Sequence, residues 1–433
     1  MLALAGLFRD QGLFAQQAQV PAKAKSVIWL FMEGGPSGFD LFDPKPALEK
    51  AHGQRLDGVE VFFGKPGPIM KSPYGFRRHG RSGAWVCDQM PAIARCVDDL
   101  AFIKSVHCDS NSHAPAMFQM NTGYIRPGFP SAGAWATYGL GSENRNFPGF
   151  VVLGNRIGTK GGALNWGSGF LPAAYQGTVL RGEGSPILNL DRPRDVDAAQ
   201  QRAQLDLAMR LNREHQVRHP EETELDARVQ SFEMAYRMQT EAREIVDLSK
   251  ESDETRKLYG LNHPVTAPYG RKLLLARRLV ERGVRFVQPY CDDQWDAHEN
   301  LKKNHDARIE ETDVPIAGLL TDLKRRGLLE STLVVWGGEF GRMPVTQGSV
   351  GRDHNPHGFL MWMAGGGVKG GTSHGELDEL GYRIASDPVS LPDLHATMLH
   401  LLGLDHRKLT WLHNGRRFRL TDVSGRVIDR IVS

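Results

Sequence analysis

Long apolar runs are missing from this chain. No stretch of about eighteen consecutive apolar residues occurs, which argues against an integral membrane protein. A basic tract is missing too. The formal net charge is +3, and the Arg pairs at 77–78, 325–326 and 416–417 stand alone, so the charge footprint of a nucleic-acid binder is absent. Cysteine is scarce. Cys87, Cys96, Cys108 and Cys291 match no CxxC zinc spacing, and a disulfide between two of the first three is left open. No internal repeat or low-complexity tract breaks the chain. Glycine, by contrast, is abundant at 48 of 433 residues, often beside polar neighbours, as in a site made of loops on a rigid sheet.

The length exceeds what one small core needs, so one large domain with insertions or two unequal domains is expected. "MLALAGLF" followed by the small and polar "RDQGLFAQQAQVPAKAK" reads as a leader over residues 1–24, or as the remnant of an export signal. A signal remnant would put the protein in the periplasm or otherwise outside the cytoplasm, with a cytoplasmic location left open. Residues 25–433 form the main domain.

Val27 to Met32 are continuously apolar and β-prone, as in a buried parallel strand, and Glu33 stands just beyond. Leu100 to His107 and Phe150 to Gly154 suggest further strands. "SHAPAMFQMNTGY" reads as a helix ending near Gly123, with Ser112 placed to cap it and His113 at its positive end. "KGGALNWGSGFLPAAYQG" is a glycine-rich loop, either a cleft wall or a cover for the sheet edge. Residues 192–257 are charged, poor in glycine and helical. Leu207 with Leu211 and Met234 with Met238 are spaced to face a core, and the segment reads as a helical insertion and the best candidate for a partner surface. Two later units run helix, glycine, strand, at Gly283 and Gly327, which argues for a parallel sheet with helices on its faces. "GFLMWMAGG" supplies another strand. "LPDLHATMLHLLGLDH" supplies a late helix in which His395 and His400 read as packing or capping residues.

Polar clusters follow these strands: Glu33; Asp292, Asp293, Asp296 and His298; Glu339; and Asp353, His354 and His357. Mixed carboxylates and imidazoles suit zinc, manganese or iron, one or two ions per chain. Ligands in open α/β sheets collect at this end of the strands.

The segments "WLFMEGGPSGFDLFDPKP", "HAPAMFQMNTG", "WDAH", "GGEFGRMP", "GRDHNPHGF", "AGGGVKGG", "DLHATMLHLLGLDH" and "GRRFRLTDVSGRVI" resemble a bacterial family, the domain of unknown function 1501. The resemblance spans about Lys25 to Val432. That family is similar in turn to the alkaline phosphatase and sulfatase superfamily, and its members commonly carry a twin-arginine export signal. No twin arginine precedes Lys25 here. The resemblance implies an α/β, alkaline-phosphatase-like three-layer sandwich with a largely parallel central sheet and divalent metal at the strand ends. It also implies an anionic ester substrate, such as a sulfated or phosphorylated glycan. Glu33 stands where the superfamily has a metal-binding aspartate. Its nucleophile position falls on His113, which is not Ser, Thr or Cys. Cys108 lacks the proline and arginine pattern for conversion to formylglycine, and Ser110 and Ser112 are left as nucleophiles. "CDDQWDAH" lacks the usual aspartate–histidine spacing, and Phe340 replaces the histidine that follows the acid at Glu339.

Two functions follow from this. One is a metal-dependent hydrolase of phosphate or sulfate esters. Its catalytic residues would be His113 moving the leaving-group proton, Ser112 or water attacking, and Arg342 holding a non-bridging oxygen. Its metal ligands would come from Glu33, Asp292, Asp296, His298, Glu339, Asp353, His354 and His357, with Glu339 binding directly. The other is a non-catalytic, exported binding or assembly protein on the same fold.

Overall fold

The computed structural model describes residues 19–433 except 63, 145, 155–157, 183–186, 188–191, 193–194, 220–231, 235, 238–243, 292–293 and 348–349. Nine strands form one sheet: β1 (Ser26–Phe31), β2 (Leu100–His107), β3 (Phe150–Leu153), β4 (Thr178–Leu180), β5 (Phe286–Pro289), β6 (Thr332–Gly337), β7 (Phe359–Ala364), β8 (Thr372–His374) and β9 (Val389–Ser390). Their order is β8-β2-β7-β6-β1-β5-β3-β4, with β9 also paired to β2. Only β7 runs antiparallel to its neighbours, so the sheet is mixed but largely parallel.

The longer helices are α1 (His113–Thr122), α2 (Ala132–Leu140), α3 (Ala198–Arg218), α4 (Ala267–Glu281), α5 (Leu301–Arg325) and α6 (Leu391–Leu401), and all but α3 pack residues into the cores on the two faces of the sheet. Alternation along β1 decides which face each residue serves. Ile28, Leu30 and Met32 pack with Leu273 and Leu274 of α4 and Leu319, Leu320 and Leu323 of α5. Val27, Trp29 and Phe31 pack with Met117 and Met120 of α1, Trp135 of α2 and Leu394 and Met398 of α6. Each such side chain, fully buried, contributes on the order of 1.5–3 kcal/mol. The result is a three-layer α/β sandwich.

Two expectations change here. Leu207 and Leu211 of α3 are 48% and 56% exposed rather than core-facing. Spacing identified one helix face but not whether anything covers it. Met234 does pack against the core, whereas Met238 lies outside the described residues. All four cysteines are buried and free, so no disulfide joins the first three. His395 packs as expected, its Nε2 2.8 Å from the Met120 carbonyl oxygen. No described helix is long and apolar enough to cross a membrane.

Candidate metal centre

The register of the sheet fixes the site. Phe31 of β1 pairs with Gly337 of β6, so the two chains leave the sheet side by side, and Glu33 and Glu339 follow two residues later on each. The Gly34 N–H donates to both Glu339 oxygens, at 3.0 and 3.1 Å. Beyond β5, the Trp295 N–H donates to the Glu33 carbonyl at 2.8 Å, which draws Asp296 into the same place. The approach requires glycine. Gly34 has φ +103°, and a Cβ there would lie 2.5 Å from the Asp296 nitrogen. A hairpin of Gly341–Gln347 with Gly351–Asn355 then turns His354 back to the cluster. Its Gly351 sits so close to the His298 carbonyl that a Cβ would lie 1.9 Å from that oxygen.

Four side chains converge. One ligand atom from each of His113, Asp296, His298 and His354 lies within 4.8 Å of all the others. Each imidazole is held from behind through Nδ1. His113 Nδ1 lies 2.5 Å from Glu339 Oε1. His354 Nδ1 lies 2.7 Å from the Asn111 carbonyl oxygen. His298 Nδ1 contacts Gln347 Oε1. An N–H on Nδ1 would meet each of these acceptors and leave Nε2 of a neutral ring free to ligate. All three Nε2 atoms point at one carboxylate. His113 is 3.0 Å from Asp296 Oδ2, and His298 and His354 are 2.9 and 3.2 Å from Oδ1. Each of these contacts needs a positive centre between Nε2 and the carboxylate, either a proton on Nε2 or a cation that takes its place. The donor set therefore fits a divalent ion, with the second partners of the imidazoles fixing tautomer and orientation. The cluster can chelate a single such ion.

Burial alone would raise the Asp296 carboxyl, but hydrogen bonds to His113, His298 and His354 and the Arg342 guanidinium hold it well below the usual range. Burial pushes His354 down to about 4, which keeps it neutral. Burial would lower His113 as well, but Asp296 and Glu339 outweigh it and leave it raised. Burial pushes Glu33 up to about 7, against the Lys160 backbone hydrogen bond that lowers it.

The structure distributes the residues expected from sequence as follows. Asp296, His298 and His354 join the cluster, and His113, expected as a proton carrier, joins them with both ring nitrogens engaged. Glu339 stands behind His113 and Gly34 rather than among the four converging ligand atoms. Glu33 lies beside the cluster, its Oε1 accepting from the Lys160 N–H at 2.9 Å and Gln294 Nε2 at 3.0 Å. Asp353 accepts from the His354 and Phe62 N–H groups, which pins the hairpin and the 51–72 loop together. His357 is turned away: its N–H donates to Asn355 Oδ1 and its ring packs on Tyr382. Asp292 and Asp293 lie outside the described residues.

Arg342, expected to hold a substrate oxygen, faces inward. The side chain is fully buried, and its nitrogens bond the Gly34, Gly35 and Arg352 carbonyls and Asp296 Oδ1, so it positions Asp296. Ser112 occupies the position preceding α1, but its side chain makes no capping bond. No described residue accepts a hydrogen bond from its hydroxyl. Burial pushes the Cys108 thiol up to about 12, which makes it inert. Lys160 was missed. Its Nζ lies 3.3 Å from Asp296 Oδ2 with the side chain 35% exposed, making it the cation at the open side of the cluster. The lysine opening the "KGGALNW" loop was the available signal.

Fold and site together define an α/β sandwich protein with a His/Asp cation centre beyond the carboxyl ends of its strands. The family model described as protein of unknown function (DUF1501) matches residues 24–432, and the chain belongs to that family. Similar solved structures include PsFucS1 sulfatase from Pseudoalteromonas sp., at 12% identity over 93% of this chain and 70% of that chain, TM-score 0.38. The lipoteichoic acid synthase LtaP from Listeria monocytogenes is 8% identical over 99% of this chain and 82% of that chain, TM-score 0.40. The alkaline phosphatase from the Antarctic bacterium TAB5 is 11% identical over 80% of this chain and 92% of that chain, TM-score 0.36. No curated protein matches the chain.

Proposed function

We propose that this protein is a metal-dependent hydrolase of phosphate or sulfate esters, using one zinc, manganese or iron ion per chain. The observation that carries the reading is the convergence of three Nδ1-anchored imidazoles on the Asp296 carboxylate. His113, Asp296, His298 and His354 would hold the ion, which supplies Lewis acidity toward an ester oxygen and a water.

The chain's own groups do the rest. Lys160 Nζ, half-open at the rim, holds a non-bridging oxygen of the anionic ester by charge and hydrogen bonding. Glu33 fixes the Lys160 backbone and the Gln294 amide, which sets the loop against the centre. Glu339 and the Asn111 carbonyl keep His113 and His354 in the Nδ1–H tautomer. Arg342 holds Asp296 while adding positive charge beside it. Water is the nucleophile, since nothing described stands ready to deprotonate Ser112.

The test is elemental analysis of the full chain purified without chelator, followed by phosphate and sulfate release from a panel of esters. About one equivalent of zinc, manganese or iron is expected, with turnover lost on chelation and in His354→Ala. Bound metal without turnover on either ester class would leave a binding protein. No metal, even after titration, would refute both the centre and the activity.

A further inference from the structure

We infer that Asn165 is a positioning residue for Lys160, aimed by a chain of buried side-chain amides that runs from β5 through α1 to the rim of the metal centre. The inference rests on the reading that Lys160 holds an oxygen of the anionic ester, and it names the groups that place the ammonium.

Lys160 is held on both sides of its backbone. Its N–H donates to Glu33 Oε1 at 2.9 Å. Its carbonyl accepts from Asn165 Nδ2 at 2.8 Å. The same Nδ2 reaches the Gly162 carbonyl at 3.1 Å, so the amide fills the inside of the turn. Gly161 and Gly162 have φ of +79° and +58°. A Cβ on Gly161 would lie 3.1 Å from Asn165 Nδ2 and 2.7 Å from the Phe118 ring, so the turn closes on the amide only with glycine there.

Asn165 is itself aimed. Two carbonyls on one side call for its NH₂ end, which leaves Oδ1 to accept from Asn121 Nδ2 at 3.4 Å. Asn121 Nδ2 also donates to the Met117 carbonyl at 2.8 Å, which leaves its Oδ1 to accept from Gln288 Nε2 at 2.8 Å. Each amide therefore fixes the orientation of the next. All three side chains are buried, where a lost partner is costly, so the chain is set before any ligand arrives. Its anchors are the elements that build the centre. α1 carries Asn121 and also the ligand His113, and β5 carries Gln288 and leads on to Asp296. Lys160 is thereby held to the same frame as the ligands. An ammonium fixed in this way loses little freedom on meeting an anion.

A packing role would hold the loop without regard to Lys160, and a double-mutant cycle separates the two. Binding of inorganic phosphate and of inorganic sulfate to the metal-loaded full chain is measured by calorimetry. The proteins are wild type, Lys160→Met, Asn165→Ala and the double variant, with metal content and ester turnover followed in parallel. Asn165→Ala should weaken binding of the anion roughly fivefold, as for the loss of one placed hydrogen bond, with metal content unchanged. In the Lys160→Met background the same change should alter binding by less than about twofold. Asn121→Ser, one link back, should cost roughly threefold with the same dependence on Lys160, and it carries the test if Asn165→Ala does not fold. Wild-type affinity in these variants, or an equal loss with and without Lys160, overturns the inference. Binding of neither anion by wild type, or unchanged binding in Lys160→Met, overturns it together with the role given to Lys160. Turnover without the coupling overturns it and leaves the hydrolase reading standing. Coupling in anion binding without turnover supports it and overturns the hydrolase reading.

Discussion

Two buried charge clusters lie within a few residues of each other on the same hairpin, and they are built on opposite rules. Arg352 and Asp40 are both fully buried, with contacts of 2.8 and 3.2 Å between them. The remaining guanidinium donors bond the Met343, Pro344 and Met70 carbonyls, and Ser37 Oγ donates to Asp40. Charge and hydrogen bonds close on themselves. Around Asp296, two residues further along the hairpin at His354, the count does not close. Three imidazole Nε2 atoms face one carboxylate, each contact needing a proton or a cation, and a lysine at the rim is half-open. A matched buried pair holds the fold. An unmatched one at a cleft asks for an ion, and this contrast separates the two without reference to any relative.

The contrast is easiest to break at its centre. Asp296→Asn keeps the shape and removes the charge on which all three Nε2 atoms converge. Metal content should fall from about one equivalent to near zero, with hydrolysis lost, by elemental analysis and assay. Retained metal would show that the imidazoles alone bind it. Next in size is Arg352→Met, which strands the Asp40 carboxylate. Breaking a buried pair costs roughly 3–5 kcal/mol, read as a lower urea midpoint, while metal content per folded chain stays near wild type. A metal loss equal to that of Asp296→Asn would merge the two clusters into one. Glu339→Gln acts behind His113 and should weaken metal binding by roughly 10–100-fold without abolishing it, measured by chelator competition. Complete loss would make Glu339 a direct ligand after all.

The smallest effect is on pH dependence. Burial would raise the Asp43 carboxyl, but Lys104 and Lys45 more than offset it and hold it below its usual value. The folded chain therefore binds fewer protons there than the unfolded chain as pH falls. The contribution is complete above the unfolded value near about 4 and is lost as pH falls below it through the lower folded one. The stability gap between wild type and Asp43→Asn should narrow over that acid range in urea titrations. A gap that widens toward acid would reverse the assigned sign.

Much of the architecture was legible because it follows from local chemistry. The apolar run at Val27–Met32 became β1 at Ser26–Phe31, and "LAFIKSVH" became β2. The "HAPAMFQMNT" segment became α1, with His113 first. The clusters at 296–298 and 353–354 were found because strands deliver polar residues to one edge. What stayed hidden depends on tertiary partners. The pattern cannot show that Asn355 would turn His357 toward Tyr382, or that Arg342 would spend its donors on backbone carbonyls. Nor could it show that Glu339 would stand behind an imidazole, since spacing gives proximity to the site and not the order of contact. Lys160 lies far in sequence from every ligand and is held by Glu33 through its backbone N–H.

The placing of β1 also has a consequence in time. Val27 pairs with Phe286 and Leu333, so this apolar strand has no sheet partner until most of the chain exists. At ribosomal rates of roughly 5–20 residues per second, that wait is on the order of half a minute. Throughout it, two open edges of a hydrophobic strand are available to any other nascent strand. The last ligand, His354, emerges later still. Ion capture is therefore a late event in the life of the chain and cannot guide its beginning. Until its neighbours arrive, the first strand is the part of the chain most open to wrong pairing.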